Sequence, residues 1–333
     1  MQTLIRHKTF LPIRNLSSSS YSIFDQNVKI KHQKFTWNSP NKSTYDYIHR
    51  RTMDNLYDRR LDIKRDFDKI LFLGRSFDYF INKLESEENK ISFLDFYSAS
   101  VEKINDDNFK LPKNIKIINE HEEFASFESE KYNLCLAHMN LHWINDLPGI
   151  LRRILESLKK DGCLLGTMFG SDTLFELRVS LQLAETERKG GIAPHISPFA
   201  SNVDIGDLLH MAGFNLITLD IEESTIYYPS MFELMEDVRM MGEQNCNFNR
   251  SLRLSKEVLY AANAIYMKEF GTKREQTDEF CVPATFRFLN FIAWKPDPSQ
   301  LQPLPRGSAT HSLTDINRID EILRELDNKN KSD

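Results

Sequence analysis

The sequence lacks three features that would assign a function directly: a surplus of basic residues, a long apolar run and closely spaced cysteines. Its 333 residues carry 43 Lys and Arg against 48 Asp and Glu, and a formal net charge of −5 gives none of the basic surplus that nucleic-acid binding requires. No stretch approaches the roughly 18 consecutive apolar residues of a membrane-spanning helix. The four cysteines form no C-x-x-C pair, which predicts a reducing compartment without disulfide bonds or a zinc site.

The composition is otherwise that of a globular protein. Hydrophobic residues make up 41% and charged residues 27%, and the length suggests about two domains or one large α/β unit. Residues 1–24 differ from the rest because Arg6, Lys8 and Arg14 precede the first acid, Asp25, and are followed by a cluster of serines. This pattern predicts a mitochondrial transit peptide, and the alternative is an N-terminal tail with no targeting role.

Strand-like and helix-like stretches alternate along the rest of the chain. Strands are predicted at 69–74, 91–96, 115–118, 132–139, 163–169, 214–222 and 286–294, and helices at 146–160, 173–188, 203–212, 230–242 and 255–270. Such alternation predicts crossover units and a mostly parallel sheet. The predicted domains are a helical segment at 25–66, a central domain at 67–296 with a helical insertion at 228–281, and a linker with a C-terminal helix at 297–333.

The helix predicted near residue 150 has the clearest pattern. Its leucines and isoleucines recur at helical spacing and form a single apolar stripe, which predicts packing against the sheet and no further role. Asp146 is predicted to cap the start of this helix. Gly162 is predicted to end it in a left-handed conformation.

Two candidate cofactor positions stand at the ends of the first two predicted strands. Ligands of parallel α/β sheets bind beyond the carboxyl ends of the strands, so the loops there are the places to search. Gly74 is what remains of a glycine-rich turn after the first strand. Asp95 lies about 20 residues further on, where an acid can bind a ribose; the alternative is a turn former or a helix cap.

A histidine and a tryptophan follow the fourth predicted strand. Trp143 can form one side of a substrate pocket, and His142 can bind substrate or transfer protons. The alternative is that Trp143 seals the core and His142 bonds a backbone carbonyl. His138 and His142 have the spacing of metal ligands on a helix, but they follow a strand, so no metal site is predicted.

Further polar candidates follow the fifth predicted strand. The helix there carries Glu176, Arg178 and Gln182, and it leads into a Gly- and Pro-rich loop that contains His195. Charged faces of helices are usually only solvated. Because this helix begins beside the mouth of a strand, however, these groups are predicted to converge on one site.

Several segments carry a family resemblance that covers nearly the whole chain after residue 24. They are SIFDQNVKIKHQ (22–33), NLHWINDLP (140–148), MFGSDTLFELRVSLQLAETERKGGIAPHISPF (168–199), YPSMFELMEDVRMMGEQN (228–245), VPATF (282–286) and RGSAT (306–310). In these segments the chain resembles the mitochondrial arginine-hydroxylase assembly factors of respiratory complex I. His142, Trp143, Glu176, Arg178 and the other polar candidates lie within them.

The resemblance implies a seven-stranded, Rossmann-like class I methyltransferase fold, mostly parallel, with an antiparallel last strand and a helical insertion. It implies hydroxylation of an arginine in the iron–sulfur subunit of the complex I quinone module, together with other assembly factors. It also implies a location in the mitochondrial matrix, peripheral to the inner membrane, and S-adenosylmethionine as cofactor at Gly74 and Asp95. No iron triad, flavin motif or other oxygen-activating group is recognisable in the sequence.

The chain departs from the family at its first strand. Phe72 stands in place of an acid, and the residues from Arg75 to Asp78 stand in place of glycines. Because these side chains would obstruct a cofactor, little or no binding of S-adenosylmethionine is predicted. Three functions therefore remain open: an arginine hydroxylase, an S-adenosylmethionine-dependent methyltransferase, and a non-catalytic assembly chaperone.

Overall fold

The structure is a computed structural model that describes residues 22–85, 91–101, 112–273, 279–302 and 305–308. Most of the predicted transit peptide and the predicted C-terminal helix lie outside these residues. The chain divides into two compact units, residues 1–296 and 297–333. In the second unit, the amide of Ser299 donates a hydrogen bond to Asp297 Oδ1 at 2.9 Å, which forms a short turn.

A single mixed sheet forms the centre of the first unit. Its strands are β1 (Lys69–Gly74), β2 (Phe93–Tyr97), β3 (Ile115–Ile118), β4 (Tyr132–His138), β5 (Leu158–Phe169), β6 (Asn215–Tyr228), β7 (Thr272–Lys273) and β8 (Phe280–Trp294). The strand order is β3-β2-β1-β4-β5-β8-β6, and β7 pairs with β8 off this path. The first five strands are parallel and β8 is antiparallel to both of its long neighbours, so the predicted mostly parallel sheet with an antiparallel last strand is confirmed.

Nine α-helices and one short 3-10 helix (Leu141–Trp143) are found among the described residues. The α-helices are α1 (Gln26–Trp37), α2 (Lys42–Tyr45), α3 (Tyr47–Asp62), α4 (Phe77–Glu85), α5 (Leu147–Ser157), α6 (Phe175–Lys189), α7 (Asn202–Ala212), α8 (Met231–Met240) and α9 (Lys256–Glu269). No helix within the described ranges is long and apolar enough to cross a membrane.

Helix α5 begins as predicted and ends earlier than predicted. Asp146 caps it by accepting a hydrogen bond from the amide of Gly149 at 3.0 Å. The prediction for its end was wrong, because Leu158 is extended and begins β5. The left-handed residue is Asp161, with φ 56°, whereas Gly162 lies within the strand. Strand pairing with β4 therefore overrides the helical periodicity of this segment.

The two longest strands extend beyond their predicted ends. Strand β6 continues to Tyr228 and β8 begins at Phe280, and the two pair antiparallel along most of their length. Strand β6 lies at the edge of the sheet and exposes many polar side chains, so its second half has too little apolar character for a prediction from hydrophobicity.

The sheet order reverses between β1 and β4, which places a crevice at the carboxyl ends of these two strands. Helices α3 and α4 pack on one face of the sheet, and α5 and α7 pack on the other. Helices α6, α8 and α9 form a further apolar cluster with β8 beside the crevice.

Candidate functional site

The loop after β1 lies directly against the end of β4. Gly74 has φ +124°, and a Cβ atom there would come 1.9 Å from the carbonyl oxygen of His138. The next amide, that of Arg75, donates a hydrogen bond to the same oxygen at 2.9 Å. This glycine is therefore required by contact between two segments of the chain itself.

The side chains that replace the expected glycines fill space within the protein. Phe77 stacks on Phe96 with a ring separation of 4.1 Å, and Phe72 packs edge-on against both rings. Asp78 accepts a hydrogen bond from the Lys42 ammonium at 2.8 Å. The segment after β1 is thus fixed by an aromatic core below it and by α2 above it.

A buried polar cluster lies over the crevice, and Glu243, in the loop after α8, is at its centre. Glu243 Oε2 accepts hydrogen bonds from Trp143 Nε1 at 2.6 Å and from Lys29 Nζ at 3.2 Å. His142 Nε2 lies 3.3 Å from the same oxygen, and His49 Nε2 lies 3.4 Å from Oε1. We call this set the Glu243 cluster: Lys29, Asp46, His49, Arg75, His142, Trp143 and Glu243.

Helices α1 to α3 supply much of this cluster. Lys29 on α1 also donates to the carbonyl of Gly242 at 2.8 Å, and its ammonium lies 3.6 Å from the centre of the Trp143 ring. His49 on α3 bonds Asp46 Oδ1 through Nδ1 at 2.9 Å. Arg75 donates to the carbonyl of Met241 at 2.8 Å. The N-terminal helices and the loop after α8 are thereby joined across the crevice.

Opposite charges stabilise the ionised form of the central carboxylate. Burial alone would raise the pKa of Glu243, but the Lys29 ammonium, the hydrogen bond from His142 and the His49 ring 3.4 Å away hold that pKa well below its ordinary value. Burial lowers the pKa of Lys29 to about 8 against the attraction of Glu243. At neutral pH the two groups therefore form a buried ion pair.

A neutral histidine lies beneath this pair. Burial lowers the pKa of His138 to about 3, so its ring is neutral. Its Nδ1 donates to the carbonyl of Arg75 at 2.9 Å, and its Nε2 accepts from the hydroxyl of Thr52 at 2.9 Å. His138 therefore connects β4, the loop after β1 and α3.

The crevice does not fit the cofactor that the family resemblance implies. Beside Gly74 and Ser76 it retains a cavity of only about 20 Å³, and a single water needs about 10 to 15 Å³. Asp95, the proposed ribose ligand, lies within β2, where its Oδ2 accepts hydrogen bonds from Lys131 Nζ and Tyr132 Oη at 2.7 Å each. The strand ends two residues later, at Tyr97. The prediction that Asp95 stands at the strand end was therefore wrong.

A larger opening, which we call the α6–α8 groove, lies outside the crevice. It has a volume of about 500 Å³, and a hollow of about 230 Å³ adjoins it along residues 194–196. Its lining includes Leu177, Leu181, His195, Met235, Glu236, Arg239 and Arg250, and that of the adjoining hollow includes Arg178, Gln182 and His195. The groove thus combines an apolar lining with several cations and one carboxylate.

The carboxylate of this groove is available to a ligand. Glu236 is exposed and forms no ion pair with any residue that the structure describes. His195 Nε2, in contrast, lies 2.9 Å from Glu185 Oε2, and Glu185 also accepts from the amide of Ala193 at 2.7 Å. These contacts hold the loop at 190–199 against α6.

The predicted site residues are separated into three places. Arg178, Gln182 and His195 come together at the groove, whereas His142 and Trp143 lie in the buried Glu243 cluster. Glu176 reaches neither place, because it is buried and accepts hydrogen bonds from the amide and hydroxyl of Thr285. Of the four groups predicted to converge after the fifth strand, three therefore lie together and Glu176 does not.

The sequence prediction missed Lys29, Asp46, His49, Glu236 and Glu243. None of them lies directly after a strand, the position at which a parallel α/β sheet binds its ligands. A signal was nevertheless present, because Lys29, Glu236 and Glu243 lie in segments that carry the family resemblance. No group of three or more His, Cys, Asp or Glu residues in the described ranges is arranged to hold a metal ion.

Comparison with known proteins gives concordant matches. A family model described as "Methyltransferase domain" matches residues 14–219. "Arginine-hydroxylase NDUFAF5, mitochondrial" of Danio rerio is 40% identical over 92% of this chain and 93% of that protein. The protein of the same name in Homo sapiens is 38% identical over 94% of this chain and 88% of its own length. "Malonyl-[acyl-carrier protein] O-methyltransferase" of Xylella fastidiosa is 33% identical over 55% of this chain and 56% of that protein.

Proposed function

This chain belongs to the mitochondrial arginine-hydroxylase NDUFAF5 family and has a class I methyltransferase fold, and from that premise we propose that it is an assembly factor of respiratory complex I. In this proposal it hydroxylates an arginine of the iron–sulfur subunit in the quinone-binding region. It does so in the mitochondrial matrix, peripheral to the inner membrane and together with other assembly factors. The observation that carries the proposal is 40% identity across 92% of this chain.

The α6–α8 groove is the proposed binding site for the client subunit. Its volume of about 500 Å³ lies within the range of ordinary ligand sites, whereas the cavity in the crevice is about 20 Å³. Phe232, Met235 and Leu252 supply apolar contact for a peptide segment, because the side chains of Phe232 and Leu252 are exposed. Arg178 and Arg239 can donate hydrogen bonds to carbonyl or carboxylate groups of that segment.

Glu236 is the proposed ligand of the client arginine. A carboxylate can accept two parallel hydrogen bonds from a guanidinium group, and Glu236 has no competing ion pair among the described residues. Hydroxylation replaces one hydrogen of the arginine by a hydroxyl group. With dioxygen as oxidant it consumes two electrons and two protons from a reductant and releases one molecule of water.

Mass spectrometry of the client's arginine peptide tests this proposal. The peptide should gain one oxygen in cells with the wild-type protein, and less with Glu236→Gln, because the amide loses the charge that binds guanidinium. Glu257→Gln is the matched control, since Glu257 is exposed on α9 outside the groove. A gain of one methylene instead would indicate methyl transfer and contradict the proposal.

A non-catalytic chaperone is the second candidate, and the filled crevice favours it. A protein that retains the groove but holds no cofactor could bind its client without modifying it. An unmodified arginine peptide, in cells whose complex I assembly still depends on the protein, would select this function over hydroxylation.

A further inference from the structure

We infer that this protein does not take S-adenosylmethionine, because its own N-terminal helices and Glu243 occupy the crevice in which a protein of this fold would hold it. The inference goes beyond the proposed function and concerns the crevice alone. It therefore holds whether or not the chain hydroxylates arginine, and its test is independent of complex I assembly.

The loop after β1 has neither a free amide nor free space beside Gly74. A glycine-rich turn binds a cofactor because it leaves backbone amides and space free. Here the amide of Arg75 already donates to the carbonyl of His138 at 2.9 Å. The space next to Gly74 is filled by the same carbonyl group, which a Cβ atom would approach to 1.9 Å. Neither the amide nor the space is available to a ligand.

Two cationic side chains cross the crevice. Arg75 and Lys29 donate to the successive carbonyls of Met241 and Gly242, each at 2.8 Å. Both side chains therefore hold the loop after α8 in place above the ends of β1 and β4. S-adenosylmethionine carries a positively charged sulfonium, and the buried Lys29 together with the partly buried Arg75 in the same crevice opposes its entry.

Only a small cavity remains open in the crevice. The cavity of about 20 Å³ is bounded by residues of α1 and α2, by Asp46 between α2 and α3, and by the loop after β1. Asp46 is itself engaged with His49 at 2.9 Å. An adenosyl group could enter only if the N-terminal helices moved away, which would break the buried Lys29–Glu243 ion pair.

Isothermal titration calorimetry of the full-length wild-type protein tests the inference, with S-adenosylmethionine and S-adenosylhomocysteine as separate ligands. We expect no saturable heat for either ligand up to about 1 mM, which corresponds to a Kd weaker than the millimolar range. The malonyl-[acyl-carrier protein] O-methyltransferase of Xylella fastidiosa, titrated in the same way, serves as the positive control.

Either ligand can overturn the inference. Saturable one-to-one binding of S-adenosylmethionine below about 1 mM would show that the crevice opens to the cofactor. S-adenosylhomocysteine lacks the sulfonium charge. If it bound and S-adenosylmethionine did not, the crevice would admit an adenosyl group, and charge repulsion would be the reason that the cofactor does not bind. That result would also contradict the inference that the protein itself fills the crevice.

Discussion

The ion pair between Lys29 and Glu243 should be one of the strongest single determinants of stability in this fold. Lys29 is 1% exposed and Glu243 lies in the loop 214 residues further along the chain, so the pair joins distant segments. Glu243→Gln removes the charge and keeps the shape of the side chain. Lys29→Met removes the charge and keeps much of the apolar stem.

The loss of stability on breaking the pair can be calculated from the ordinary pKa of either partner. In Glu243→Gln at pH 7.5, Lys29 either stays charged without a partner, which costs about 3 to 5 kcal/mol of stability, or loses its proton. Its ordinary pKa is 10.5. At 1.36 kcal/mol per unit, deprotonation costs about 4 kcal/mol. The same reasoning for Glu243 in Lys29→Met, with an ordinary pKa of 4.5, also gives about 4 kcal/mol.

Urea denaturation monitored by circular dichroism at pH 7.5 measures these changes, and a double-mutant cycle isolates the pair. Each single substitution should lower the free energy of unfolding by about 3 to 5 kcal/mol, and the double substitution by at least about 2 kcal/mol less than the sum. Lys31→Met is the matched control, because Lys31 is exposed on the same helix and should change stability by less than about 0.5 kcal/mol. Single effects as small as those of the control, or strictly additive ones, would refute the reasoning.

Three further substitutions test other parts of the structure. Burial raises the pKa of Glu122 from 4.5 to about 8, so this carboxyl should lower the free energy of unfolding as pH rises from 4.5 through 8. In urea titrations at several pH values, Glu122→Gln should remove this loss, which is a few kcal/mol at most, whereas Glu120→Gln at an exposed position should not. Ile154→Ala should lower the free energy of unfolding by about 2 to 5 kcal/mol by opening a cavity, and a loss below about 1 kcal/mol would show that the site collapses. Arg178→Ala should leave the thermal midpoint unchanged but reduce complex I assembly on native gels, with exposed Glu187→Ala as control; normal assembly would exclude Arg178 from client binding.

The sheet could be predicted from the sequence because its central strands are buried on both faces. Strands β1 and β3 have the predicted bounds, since their short apolar runs have no competing helical pattern. Helix α5 was predicted too long because Leu158 continues the apolar stripe yet pairs with Tyr132 of β4. Local periodicity cannot show where such a tertiary pairing takes over.

The site was only partly predictable, because its strongest contacts join residues far apart in the chain. Gly74, His142 and Trp143 were found because they follow strands, and Arg178, Gln182 and His195 because they follow one another along a helix and its loop. The partners of His142 and Trp143 in the Glu243 cluster were missed, because Lys29 and His49 reach the crevice from N-terminal helices that no strand position anticipates. The replacement of the family's glycines by the residues from Arg75 to Asp78, in contrast, is visible in the sequence itself.

A crystal structure of the protein grown with S-adenosylhomocysteine would test most directly whether the crevice is filled by the protein itself. The account predicts density for the side chains of Lys29 and Arg75 across the ends of β1 and β4, bonded to the loop after α8, and no ligand between them. Clear ligand density in that position, with the N-terminal helices displaced, would contradict it.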